Sequence, residues 1–208
     1  PIRMKDIPKY YDNLDLTLEE ILGLIQRGVK DRKSGFHNFV LATSSFENEP
    51  DARTVVLRGF DSKKMEISFH SDLRSQKINQ LNKNKNVCLV FYDEKKKIQL
   101  RIRGKTNIKK SFQEAWNKLT NWSKRCYLTE SPPGQESRKP SSGFPEEFAF
   151  DAPSLEQTKE GFKNFGQIRV SINQIEWLFL ASQGHRRALF EVVKSGSKFL
   201  IEGKWLIP

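Results

Sequence analysis

Apolar residues recur along this chain with two different spacings, and the switches between them outline its elements. Leu18, Ile21, Leu22 and Ile25 share one face at helical spacing. Thr17 stands ahead of them as a cap with Glu20 three residues on, so a helix is predicted to about Val29. Short extended runs follow. Phe39 to Thr43 leads into a polar turn from Ser44 to Pro50, and Arg53 to Phe60 forms the next run. Asp61 to Lys64 then turns the chain into Met65 to Phe69. Strands and turns at this spacing predict an antiparallel barrel or sandwich.

A helix is predicted from Asp72 to about Leu81, with Leu73, Ile78 and Leu81 as its apolar positions. Val87 to Tyr92 and Ile98 to Ile108 read as a hairpin across Asp93-Glu94-Lys95. In its second arm Ile98, Leu100 and Ile102 face one way, while Gln99, Arg101 and Arg103 face the other. Ser111 to Tyr127 reads as one or two helices, and Ser131 to Pro153, rich in Pro, Gly, Ser and Glu, as a long surface loop. After a short helix from Ser154 to Phe165, strands are predicted at Ile168 to Ile172, Ile175 to Leu180 and Ala188 to Val193. Phe199 to Leu206 is placed to pair with the last of these. The whole is mainly β with flanking helices, a single domain with residues 1–35 as an N-terminal helical segment.

Composition narrows this picture. At 208 residues with 37% hydrophobic content and 15 Phe, the chain can bury a core without staples. It has no apolar run of membrane-spanning length, and its first residues lack a signal-peptide core, so no membrane segment is expected. The only cysteines, Cys88 and Cys126, have no zinc spacing and make a poor disulfide framework, which points to reduced thiols in the cytoplasm. The net charge of +11 admits a nucleic-acid surface or a basic pocket for phosphorylated ligands. Lysines scattered through the chain argue against the first.

The stretch His70-Ser71-Asp72-Leu73-Arg74-Ser75-Gln76-Lys77 hands a strand over to a helix. First-turn amides lack internal partners and attract phosphate, and Lys77 adds a fixed charge one turn in. Asp72, as a capping residue, would compete with such an anion; a capped surface helix with a solvated lysine is the plain alternative. Arg53 and Arg58, five apart on one predicted strand, would point to opposite faces. Gln99 can hydrogen-bond a ring edge or face water. His185-Arg186-Arg187 can clamp a phosphate or carboxylate or stand as solvated turn charges. Trp177 can stack on an aromatic ligand or fill the core. The sequence holds no Gly-x-Gly-x-x-Gly, Walker loop, His-Glu-x-x-His or Gly-x-Ser-x-Gly, and its three His lack metal-ligand spacing, so no metal is expected.

The order of these pieces resembles the pyridoxamine 5'-phosphate oxidase-like superfamily. Arg53-Thr54-Val55-Val56-Leu57-Arg58, His70-Ser71, Ser75-Gln76-Lys77 and Gln99 follow the family pattern, as do Glu176-Trp177 and the ending Trp205-Leu206-Ile207-Pro208. The resemblance implies an antiparallel split β-barrel working as a homodimer, with FMN between the subunits. It implies that Arg53 and Lys77 hold the flavin phosphate with Ser71 and Ser75. Val55 to Leu57 would line the flavin and Gln99 its polar edge, while Trp177 and an arginine of the 186–187 pair, Arg187 among them, reach in from the partner. Gln76 stands where the family usually has Arg.

The substrate side departs further. The family's Tyr, Arg-Pro and Ser correspond here to Tyr127, Ser131-Pro132 and Gln135, and its late Arg-x-His-Asp-Arg becomes Arg186-Arg187-Ala188-Leu189-Phe190. Losing such charge-assisted contacts costs a few kcal/mol each, so affinity for B6 phosphates is expected to fall. The expectation is an FMN-dependent oxidoreductase acting on an unidentified small substrate, with Arg58, Tyr127 and Arg186 oriented toward it and no catalytic side chain assigned. Oxidation of pyridoxine or pyridoxamine phosphate is the alternative, and a non-catalytic flavin- or nucleic-acid-binding module the third.

Overall fold

The computed structural model describes residues 7–208. Helix α1 (Leu14–Lys30) begins earlier than the pattern predicts, because Asn13 caps it by accepting from the Leu16 amide. Thr17 lies inside the first turn, fully buried, and its hydroxyl donates to the carbonyls of Tyr10 and Asn13 at 2.8 Å each. Of the predicted apolar face of α1, Ile21 and Ile25 reach the core, where Leu24 joins them, while Leu18 and Leu22 are partly buried against it.

The strands are β1 (Asn38–Ser44), β2 (Pro50–Val56), β3 (Gly59–Asp61), β4 (Glu66–Asp72), β5 (Asn86–Asp93), β6 (Ile98–Lys110), β7 (Phe165–Phe179), β8 (Arg186–Ser195) and β9 (Lys198–Leu206). They form one antiparallel nine-stranded sheet in the order β2-β1-β5-β6-β7-β4-β3, with β8 added to β7 and β9 to β8. The ends of that order, β2 and β3, are joined by only Leu57 and Arg58. The Leu57 amide donates to the His37 carbonyl and the Arg58 amide to the Ser68 carbonyl, at 2.8 and 2.9 Å. Two residues thereby close the sheet into a barrel, and the strand predicted over Arg53 to Phe60 is broken where the barrel turns its corner.

β7 is one long strand rather than the predicted pair. Its first half pairs with β4, its second half with β8, and its other edge with β6 throughout. The register against β6 shifts between Arg103 and Gly104, which face Gln174 and Ile172, so Asn173 is an extra residue, a β-bulge. Gly104 is required there: a Cβ would sit 2.4 Å from the Ser171 carbonyl oxygen.

The barrel interior holds Phe36, Phe39, Phe69 and Phe91 in mutual ring contact, together with Ile and Leu from each wall. Outside the barrel, the stretch 111–127, expected to form one or two helices, forms two, α3 (Gln113–Asn117) and α4 (Asn121–Lys124), with Thr120 capping α4. Trp116 packs there on Phe165, Tyr127 and Phe162. The short predicted helix after Ser154 is α5 (Leu155–Thr158), closed by a capping box between Ser154 and Gln157.

Candidate functional site

The strand-to-helix stretch folds into a compact polar knot. β4 runs through Asp72, and helix α2 (Gln76–Lys83) starts four residues later than the pattern predicts. The Asp72 carboxylate does not cap α2. It accepts from the Arg74 amide at 2.8 Å and from the Arg74 guanidinium at 2.7 and 3.0 Å, which removes it as a rival for an anion at the helix start. Ser71 and Ser75 donate to the Asp72 carbonyl, their hydroxyls are 3.0 Å apart, and the Lys77 ammonium donates to both at 3.3 Å. Burial, and after it the positive charge of Arg53, lowers the Lys77 pKa below the usual lysine range. Two cations crowded together and partly desolvated make a place that favours an added anion.

Arg53 is held from four sides. Its guanidinium donates to the Leu41 carbonyl at 3.2 Å, the Thr43 hydroxyl at 2.6 Å, Gln80 Oε1 at 3.0 Å and the Asp51 carboxylate. Gln80, only 1% exposed, also accepts from Thr43 and donates to Asp51. That hydrogen bond, followed by the charge of Arg53, lowers the Asp51 pKa.

Beside this knot opens a cleft of about 320 Å³. Thr54, Val55, Val56 and Arg58 form one wall, and His70, Ser71, Ser75 and Lys77 the base, together with Asp72, whose carboxylate is paired with Arg74. Cys126, Tyr127 and Pro133 face them across the opening. Sequence reasoning placed most of these residues together, and the barrel does so. His70 is pushed down to about 4 by burial and then by the charge of Arg58, so it is a neutral imidazole, edge-on to the Phe165 ring at 4.9 Å. Burial raises the Tyr127 phenol, which stays protonated. Arg58 has no ion pair or side-chain hydrogen bond among the described residues, so it is the cation of this cleft still open to a ligand. It stands past the end of β2, where strand alternation no longer governs its direction.

Other expected residues lie elsewhere. Trp177 is fully buried, its indole edge-on to Tyr10 at 6.0 Å, and offers no face to a ligand. The Leu57 side chain is likewise sealed in the core, so only Val55 and Val56 of the expected trio line the cleft. Gln76 is exposed at the start of α2, outside the cleft lining. Gln99 sits on the outer face of the sheet between Tyr92 and Leu178, and Arg187 is next in that row. Arg187 donates to Glu176 at 2.9 Å, and Arg101 to the same oxygen at 3.1 Å. Arg186 is engaged by its own chain: it donates to Asp12 at 2.7 Å and stacks 3.8 Å from the Tyr11 ring centre. It is therefore not a free clamp. Ser131 and Gln135 line a separate depression within the long loop.

Sequence reasoning missed Gln80, Asp51 and Thr43, the groups that aim Arg53. Gln80 is three residues after Lys77, one helical turn along the same face, and that spacing was the available signal. It also missed Arg74, whose guanidinium donates to the Thr129 carbonyl at 3.0 Å and hydroxyl at 2.7 Å, tying the loop to the knot.

The antiparallel sheet, closed at Leu57 and Arg58 and with the long β7 shared between β4 and β8, is of the split-barrel class. The model of the pyridoxamine 5'-phosphate oxidase FMN-binding domain matches residues 20–110. A pyridoxine/pyridoxamine 5'-phosphate oxidase of Leptospira biflexa is 31% identical over 158 residues, covering 73% of this chain and 71% of that one. Among solved structures, an FMN-binding protein related to pyridoxamine 5'-phosphate oxidase from Nostoc punctiforme superimposes with a TM-score of 0.72 at 19% identity, over 98% of this chain and 100% of that one. PhzG of Burkholderia lata, solved with tetrahydrophenazine-1-carboxylic acid, gives 0.68 at 15% identity over 97% and 98%. At those identities the two structures speak for the fold alone. The chain belongs to the pyridoxamine 5'-phosphate oxidase family, and FMN is its cofactor.

The residues present fit that group. FMN carries one terminal phosphate and one broad flat ring with a polar edge. Lys77 and the Ser71 and Ser75 hydroxyls form one corner of the cleft, Arg53 lies outside its lining but near enough for its charge to lower the Lys77 pKa, and the adjoining wall is Val55 and Val56.

Proposed function

We propose that this protein is an FMN-dependent oxidoreductase that works as a homodimer on a small anionic substrate. The observation that carries this reading is the pairing, in one cleft, of a charge-crowded Lys77 with an unengaged Arg58. Bound FMN supplies two-electron redox chemistry. Lys77 and Arg53 hold its phosphate with Ser71 and Ser75, while Thr54, Val55 and Val56 bed the ring. Arg58 draws in the substrate anion, and the Tyr127 hydroxyl serves as a neutral hydrogen-bond donor. Neutral His70 adds no charge to compete with either.

The outer sheet face supports the homodimer. Thr54, Val40 and Val90 share one row across β2, β1 and β5, and Val40 and Tyr92 are 39% and 45% exposed. This face is continuous with the cleft through Thr54 and Val56, so a second copy seated on it would bring its own Gln99 and Arg187 toward the flavin. Cys126 is exposed and Cys88 half-buried, both as free thiols, which suits the reducing cytoplasm. Among the described residues no helix is long and apolar enough to cross a membrane.

The test is direct. Freshly purified protein should show the flavin absorption bands, and heat release should yield FMN by chromatography; a colourless protein that takes up no added FMN overturns the reading. The name of the Leptospira relative favours a second reading, oxidation of pyridoxine or pyridoxamine phosphate. Pyridoxal phosphate formed in air by the FMN-loaded protein would establish it, and none at high enzyme concentration would reject it.

A further inference from the structure

Behind the wall made by Arg58 and His70 lies a second cavity of about 370 Å³. Its floor is the outer face of the sheet, where Gly59, Ser68 and Arg169 form one row across β3, β4 and β7. Its roof is Phe112 with the start of α3, followed by Lys118 and Leu119. A Cβ at Gly59 would meet the Ser68 hydroxyl at 2.5 Å, so glycine there keeps the floor open.

Arg169 is prepared for a ligand. Its Nε donates to Gln167 at 2.8 Å and lies 3.7 Å from Glu66, and its guanidinium sits 4.9 Å from the Phe112 ring centre. These contacts fix the plane of the group yet use only the Nε edge. Neither Nη has a hydrogen-bond partner among the described residues. A guanidinium held in one plane with its outer fork open is suited to two parallel hydrogen bonds to phosphate or carboxylate. Arg58 and Lys118 add positive charge, against Glu114 on the rim. Phe112, Ala115 and Leu119 supply an apolar flank.

We propose that this cavity is a second ligand site, taking a small molecule with a flat apolar body and one phosphate or carboxylate. It shares only the Arg58 and His70 wall with the flavin cleft, so a ligand here meets the cleft through those two side chains. The site does not require that FMN be bound.

Calorimetry with phenyl phosphate, benzoate and inorganic phosphate tests this on two proteins: the FMN-saturated chain, and Lys77→Ala, in which the flavin-phosphate corner is disarmed. Phenyl phosphate or benzoate should bind one per chain to both proteins, more tightly than inorganic phosphate, and the tighter of the two names the anion. Arg169→Gln should weaken that binding about tenfold while leaving FMN affinity and the flavin spectrum unchanged. Glu114→Gln should tighten it. If Arg169→Gln fails to fold, Lys118→Ala on the exposed rim should give a loss of about two- to threefold. The proposal is overturned if neither protein shows saturable binding, if Arg169→Gln and Lys118→Ala both bind as the parent does, or if Lys77→Ala abolishes binding. The last result would put the probe in the flavin-phosphate corner. A protein that binds phenyl phosphate but no FMN would sink the functional reading above and leave this one standing.

Discussion

Gln80 Oε1 accepts from Arg53 Nη2 at 3.0 Å, and a residue buried to 1% exposure thereby decides where the cation that acts on Lys77 points. Gln80→Leu keeps the volume but abandons Thr43, Arg53 and Asp51. FMN affinity should fall about tenfold, while riboflavin, which lacks the phosphate, should bind as before. Equal weakening of both ligands would assign Gln80 to general packing instead.

Lys77→Ala should weaken FMN about ten- to a hundredfold, the loss expected when one charge-assisted contact disappears. The affinity of the parent should fall with added salt more steeply than that of the variant. Because the Lys77 pKa lies below the usual lysine range, parent affinity should also begin to drop at a lower alkaline pH than an ordinary lysine would dictate. Fluorescence titration of the flavin reads all three.

His70 should make the fold acid-sensitive. Its folded pKa of about 4 lies below the unfolded value of about 6.5, so the unfolded state binds the proton first. The stability it contributes is fully present above about pH 6.5 and is lost as pH falls toward 4. Urea denaturation at steps between those limits should show the decline, and His70→Asn should flatten it. An unchanged slope in the variant would mean that other groups carry the acid limb.

Val40→Asp places a charge in the middle of the exposed apolar row. Sedimentation equilibrium should show the parent as a dimer and the variant shifted to monomer, with flavin lost in parallel. A parent that sediments as a monomer with full flavin would end the shared-site reading.

How much of this was legible in the sequence depends on how local the cause is. The helical face of Ile21 and Ile25, the alternation of β6 and the meeting of Ser71, Ser75 and Lys77 follow from spacing within one or two turns of chain. The start of α2 was misplaced because Asp72, a good capping residue by type, is claimed by Arg74. Arg186 looked free because nothing near it in sequence reveals Asp12, which lies across the fold. The aiming of Arg53 needs Thr43, Asp51 and Gln80, brought from two strands and a helix, and only the closed barrel assembles them.

The odd residue at 173 has a reach beyond its own turn of chain. Ahead of it the inward positions of β7 are the even ones, 168, 170 and 172; past it they are the odd ones, 175, 177 and 179. Excising Asn173 would leave 172 and 174 neighbours in an unbroken ladder with 175, 177 and 179 still facing in, whereas pairing Asn173 as an ordinary ladder residue would reverse everything downstream, turning the indole of Trp177 out and Leu178 in. One unpaired residue thus chooses which of two neighbours a ligand on the outer surface can meet.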